Sequence, residues 1–246
     1  MDAVTIALEL AVQDTAGVRI AHELGAARVE LTQALALGGL TPSPATLEVA
    51  LEAAGTCGPE VHVLIRPRPG GFRYDADEIA VSVRDIERAV RAGAAGVVVG
   101  ALDDAGALDL DVMSRLRDAA ADASVTLHRA IDLTADPVAT LESAVELGLR
   151  RVLTSGGAST ASEGIDTLRA LVAAAQGRIE VMAGSGVSAD SARALADVGV
   201  DALHFSAKRA VDPSGSGAIA DSMGGHDVTD RDAAFAVRAA LGRGAL

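Results

Sequence analysis

The sequence has one cysteine, Cys57, no tryptophan, one tyrosine and three phenylalanines. A single thiol cannot close an intramolecular disulfide, nor furnish a zinc-ribbon or iron–sulfur site, so no structural metal is expected. Basic side chains are also scarce, 21 against 34 acidic ones, and the formal charge is -13. That charge, with so few rings to stack on bases, excludes nucleic acid and anionic membranes as expected partners. No apolar run reaches the roughly 18 residues of a membrane span. The start, Met1-Asp2-Ala3-Val4, lacks the basic flank of a secretory leader, so the expected location is cytoplasmic.

What is present is an ample supply of core residues, 50% hydrophobic with 22% charged over 246 residues. A helix end followed at once by a strand occurs four times: HELGAARVEL (22–31), RAGAAGVVVG (91–100), ELGLRRVLTSG (146–156) and DVGVDALHFS (197–206). Gly25, Gly93, Gly148 and Gly199 can each take the left-handed conformation that ends a helix. Further strands are predicted at Val4–Glu9, Val61–Arg66, Ser124–His128 and Ile179–Ala183. Helix starts are predicted at Asp14, Ser43, Asp75, Asp111, Asp136, Thr160 with Glu163 as a capping box, and Ser188, with a last helix near Thr229–Leu241.

Eight strands alternating with helices over this length predict an α/β fold, a (β/α)8 TIM barrel forming one domain over residues 1–246. Within it, 211–226 reads as a flexible loop, either a mobile lid or a plain connection, and 227–242 as the closing helix. A doubly wound open sheet is the alternative, but no GxGxxG follows the first strand.

In such a barrel the site lies at the carboxyl ends of the strands. The third strand runs from VHVLI into Arg66-Pro67-Arg68-Pro69-Gly70-Gly71, a stiff cationic loop that reads as a seat for an anion. Other strand ends carry Glu9, Glu30, His128-Arg129, Thr154-Ser155-Gly156-Gly157, Gly184-Ser185-Gly186 and Ser206. Glu9 and Glu30, buried after apolar residues, need partners; they read either as a structural ion network or as proton-transfer groups working with His128. Asp132 reads either as a group orienting the imidazole or loop, or as a turn residue. The glycine loops read either as phosphate cradles or as tight turns. His62, deeper in its strand, reads as a core histidine or a site residue, and His128 as catalytic or structural. The expected ligand is a small anionic, phosphorylated metabolite held by Arg66, Arg68, Arg129 and these loops.

The chain resembles the CutC family, named for copper homeostasis, in RVEL with GGLTPS, IRPRPGGFRY (65–74), TLHRAIDLTADP (126–137), RVLTSGG (151–157), VMAGSGV (181–187) and the SMGG at Ser222. The resemblance implies a cytoplasmic TIM barrel with a copper-handling role. Family members commonly carry cysteines just after the acids of strands one and two; here Ala11 and Thr32 stand there. The soft thiolates that select Cu(I) are therefore missing, and no cofactor is predicted; His62, His128 and His204 would offer nitrogen ligands for copper if they converge. The alternative to an isomerase, aldolase or lyase is a non-catalytic copper-handling protein. A homodimer is compatible with the fold class, but no stretch identifies an interface.

Overall fold

The two-residue period of the strands decides which side chains enter the barrel. The structure, a computed structural model, describes residues 6–211 and 225–242. Its strands β1 (Ala7–Val12), β2 (Arg28–Leu31), β3 (Glu60–Leu64), β4 (Gly96–Val99), β5 (Ser124–Leu127), β6 (Arg151–Thr154), β7 (Glu180–Gly184) and β8 (Ala202–Phe205) form a closed barrel in chain order. All are parallel, and β8 pairs back onto β1, Glu9 opposite His204. Leu8, Leu10 and Val12, with Val29, Leu31, Val61, Val63, Val97 and Val99, join the main apolar cluster beneath the helices. The residues alternating with them are of another kind: Glu9, Arg28, Glu30, His62 and Arg151 are buried polar groups. Leu153, Met182 and Ala202 make a small separate apolar cluster among them.

Helices α1 (Thr15–Leu24), α2 (Pro44–Ala54), α3 (Ala76–Ala92), α4 (Leu110–Ala119), α5 (Pro137–Glu146), α6 (Ile165–Ala175), α7 (Ala189–Asp197) and α8 (Arg231–Leu241) follow the strands. Asp14, Ser43, Asp75 and Asp136 cap α1, α2, α3 and α5, each side chain accepting from a first-turn amide. Ser188 caps α7 in a reciprocal capping box with Ser191. Among the described residues no helix is long and apolar enough to cross a membrane.

The structure corrects several predicted boundaries. Strand one lies three residues later than predicted, because its apolar run continues through Leu10-Ala11-Val12 until Asp14 starts α1. Glu9 is therefore inside the strand rather than at its end. Helix α4 is capped by Asp109, not Asp111, since Asp109 already accepts from Val112. Thr160 and Glu163 do exchange hydrogen bonds, but they close a turn ahead of α6, which begins at Ile165. Beyond β8 the chain forms an unpredicted antiparallel hairpin, β9 (Lys208–Val211) with β10 (His226–Thr229). The predicted loop at 211–226 falls almost wholly outside the described residues.

Candidate functional site

At the carboxyl mouth, a cavity of about 250 Å3 is lined by Glu30, Arg66, His128, Arg129 and His204, with Leu35, Leu64, Phe72 and Leu153 among its apolar wall. A larger hollow of about 440 Å3 lies between α2 and α3, but it gathers no set of buried titratable groups. The buried titratable groups line the smaller one.

Three strands bring Glu9, His204 and Glu30 together. His204 Nδ1 is 2.9 Å from Glu9 Oε1, and its Nε2 is 3.8 Å from Glu30 Oε2. On its other oxygen Glu9 accepts from Arg28 Nε at 3.0 Å. Burial alone would raise the Glu9 pKa, but the hydrogen bond and charge of His204, with Arg28 and His62, hold it at about 2. Burial also opposes charging of His204, yet Glu30 and Glu9 outweigh it and raise the imidazole. Glu30 has no such hold. Burial pushes its carboxyl up, His204 opposes, Glu9 adds repulsion, and the result is about 7. Glu9 thus stays ionised behind His204, while Glu30 faces the cavity at the edge of ionisation.

His128 takes a different state. The Ala130 amide donates to its Nδ1 at 3.1 Å, which leaves the proton of the neutral ring on Nε2. Burial and the Arg66 charge lower its pKa to about 3. Nε2 has no hydrogen-bond partner among the described residues. Phe72 packs on the ring, centroid to centroid 4.4 Å. Gly100, after β4, makes room: a Cβ there would lie 2.5 Å from Nδ1.

The predicted anion-binding residues divide. Arg66 lines the cavity, but its Nη1 donates to the Leu37 and Gly39 carbonyls, both at 3.0 Å, and its Nη2 to Gly70 at 2.7 Å. It staples two loops, and among the described residues only its charge and its unpartnered Nε remain. Arg68 turns away to Glu78 and to the carbonyls of Gly71 and Arg73. Arg129 lines the cavity and donates to Asp132 at 2.8 Å and to Ser155 Oγ at 2.9 Å. The cradle after β6 is filled by the chain itself, because Asp132 accepts from Thr154 Oγ1 and from the amides of Ser155 and Gly157. Gly156 donates instead to Thr154 Oγ1.

The loop Gly184-Ser185-Gly186 is not part of the cavity lining; Ser185 Oγ donates to Ser159 O, and Ser185 O accepts from Ala161. Ser206 lines a separate crevice under the hairpin. His62 lies below the cavity with Nε2 3.2 Å from Glu60. Sequence reasoning left His204 out of the catalytic set, and Arg28, Leu64, Phe72 and Leu153 out of the site altogether. A charged residue alternating within RVEL and a histidine between Leu203 and Phe205 were the available signals.

Copper does not fit these donors. Ala11 offers none, and the buried Thr32 hydroxyl is spent on the Leu40 carbonyl at 3.0 Å. Cys57 is exposed between α2 and β3, at the other end of the barrel. No group of three or more His, Cys, Asp or Glu side chains among the described residues is arranged to hold a metal, so His62, His128 and His204 do not form a ligand set.

A family model described as the CutC family matches residues 6–209. A family protein CutC of Sinorhizobium medicae is 49% identical over 190 residues, 77% of this chain and 76% of that protein. One from Xylella fastidiosa (strain Temecula1) is 45% identical over 233 residues, 93% and 86% of the two chains. A crystal structure provisionally described as the copper homeostasis protein CutC of Streptococcus agalactiae superposes with TM-score 0.78 at 30% identity, covering 82% of this chain and 98% of the other. An aldolase, at 19% identity and TM-score 0.62, shares the fold over 84% of this chain and 92% of its own.

Proposed function

For this chain, which belongs to the CutC family, we propose an enzymatic role: proton transfer beside a carbonyl group on a small anionic metabolite, as in an isomerase, aldolase or lyase. The observation that carries the reading is the pairing, in one cavity, of a carboxyl poised near neutrality, Glu30, with a neutral imidazole donor, His128. Glu30 as carboxylate takes a proton from carbon. The electron pair of that C–H bond moves toward the carbonyl oxygen, where His128 Nε2–H donates to the forming oxyanion. The proton then returns to a neighbouring carbon; in the C–C cleaving variant Glu30 takes instead the proton of a hydroxyl on the β carbon, the O–H pair forms the new carbonyl there, and the C–C pair moves into the enolate.

Arg129 and the charge of Arg66 draw in the carboxylate or phosphate of the substrate. His204, its pKa raised by Glu30 and by Glu9, sets its Nε2 3.8 Å from the Glu30 carboxyl. Leu35, Leu64, Phe72 and Leu153 limit water. The reading places the enzyme in the cytoplasm, where the exposed thiol of Cys57 stays reduced.

The test is proton exchange. Small hydroxy and oxo acids and their phosphates, incubated with the protein in D2O, should lose a C–H signal in proton NMR for at least one compound. Glu30→Gln should abolish that loss while melting no lower than the wild type. Exchange at the same rate in Glu30→Gln, or no exchange and no thermal stabilisation with any compound, rejects the proposal; a bound ligand at 100 times its Kd adds about 2.7 kcal/mol.

A further inference from the structure

The opposite mouth of the barrel holds a second cavity, of about 650 Å3. Its wall includes Arg28, Ser124, Arg151 and Glu180, the first residues of β2, β5, β6 and β7, with Arg117 and Arg150 at the rim. Glu180 is a shared acceptor. Arg151 reaches it with Nε and Nη2, both at 2.7 Å, Arg150 with Nη2 at 3.1 Å, and Arg28 Nη1 stands 3.9 Å away. Three guanidinium groups therefore crowd one carboxylate.

Two of the three guanidinium groups are buried. Arg28 is 7% exposed and Arg151 3%. Burial, and then the charge of Arg28, push the Arg151 pKa down. Arg28 Nη2 and Ser124 Oγ are buried with no hydrogen-bond partner among the described residues. The other acids of the wall do not answer them: Glu60 is tied to His62, and Asp122 is exposed. Four arginines and three acids line the cavity; Arg28 Nε is also paired with Glu9 at 3.0 Å and Arg117 Nη1 with Asp118 at 3.1 Å, which leaves Arg28 Nη2 as the buried group without an acceptor among the described residues.

We propose that this cavity is a binding site for a small oxyanion, a phosphate or a compact polycarboxylate, separate from the carboxyl mouth. An oxyanion offers the acceptors that Arg28 Nη2 and Ser124 Oγ lack, and its charge relieves guanidinium groups that share Glu180. The rim arginines, Arg117 and Arg150, have side chains 48% and 68% exposed, so they can turn to a ligand without unsealing the barrel.

The experiment is calorimetric titration of the full chain with inorganic phosphate at constant ionic strength, with citrate as a competing arm. Arg117→Gln with Arg150→Gln should weaken phosphate binding about tenfold or more. Arg129→Met, at the other mouth, should leave that binding in place. Citrate displacing phosphate extends the ligand class to carboxylates, and failure to displace it assigns the site to phosphate. Unchanged affinity in the double variant, loss of all binding in Arg129→Met, or no phosphate heat in the wild-type chain overturns the proposal. Failure here leaves the exchange test of Glu30 untouched, and the reverse also holds.

Discussion

Asp132 occupies the amide cradle of the loop after β6: the Ser155 amide and hydroxyl both donate to its Oδ2 at 3.0 Å. A turn built to receive an anion is thus closed by a carboxylate from the turn after β5. Asp132→Ala leaves these donors and the Arg129 guanidinium unanswered and should destabilise the protein by on the order of 2–4 kcal/mol. Formate should restore part of the lost melting temperature in the variant and none in the wild type. A variant that melts with the wild type would show the cradle to be dispensable.

The pH dependence of stability follows from Glu30. Its carboxyl ordinarily titrates at 4.5 and here near 7, so the folded state holds this proton more firmly than the unfolded chain. Its contribution is whole below about 4.5 and is lost as pH rises to 7. Glu30→Gln cannot titrate and should gain on the wild type across that window, by at most about 3 kcal/mol above pH 7. Denaturant melts of both proteins at pH 4.5 and 8 check this, and parallel curves would contradict the assignment.

On the acid side two other groups act. Glu9, held near 2, contributes stability that is present above 4.5 and lost as pH falls toward 2. His128, neutral in the fold down to about 3, loses stability from about 6.5 downward, as the unfolded imidazole takes up a proton. Nitrogen NMR of the imidazole should show Nε2 protonated and Nδ1 bare from pH 8 to pH 4. Titration of His128 near 6.5 would remove it as a neutral donor.

Without thiols near Glu9 and Glu30, the chain should leave Cu(I) with a strong chelator, and Cys57→Ser should change nothing. Stoichiometric uptake by the wild-type protein would contradict the misfit of its donors.

The barrel was legible because its signals are local and repeated: a glycine with positive φ before each of four strands, and side-chain caps at five helix starts. The site was legible as a set of strand ends but not as a set of contacts. Arg66 looked like an anion seat in sequence, yet its partners Leu37, Gly39 and Gly70 come from two loops whose approach depends on the closed barrel. His204 stands 195 positions from Glu9 and meets it only because β8 returns to β1. Asp132 likewise meets the loop after β6 only because β5 and β6 are neighbours. Local pattern carries strand and helix; it does not carry which loop fills which cradle.

The ionic interior has a thermal corollary. Glu9, Arg28, Glu30 and Arg151 sit where barrels of this class stack aliphatic side chains. Unfolding exposes these polar groups along with the apolar shell, and polar exposure lowers the heat capacity change. The hydration that buried ions forgo is also worth less at high temperature. The stability curve of this protein should therefore be broader than its burial of apolar surface alone implies, with a shallower fall toward the melting point.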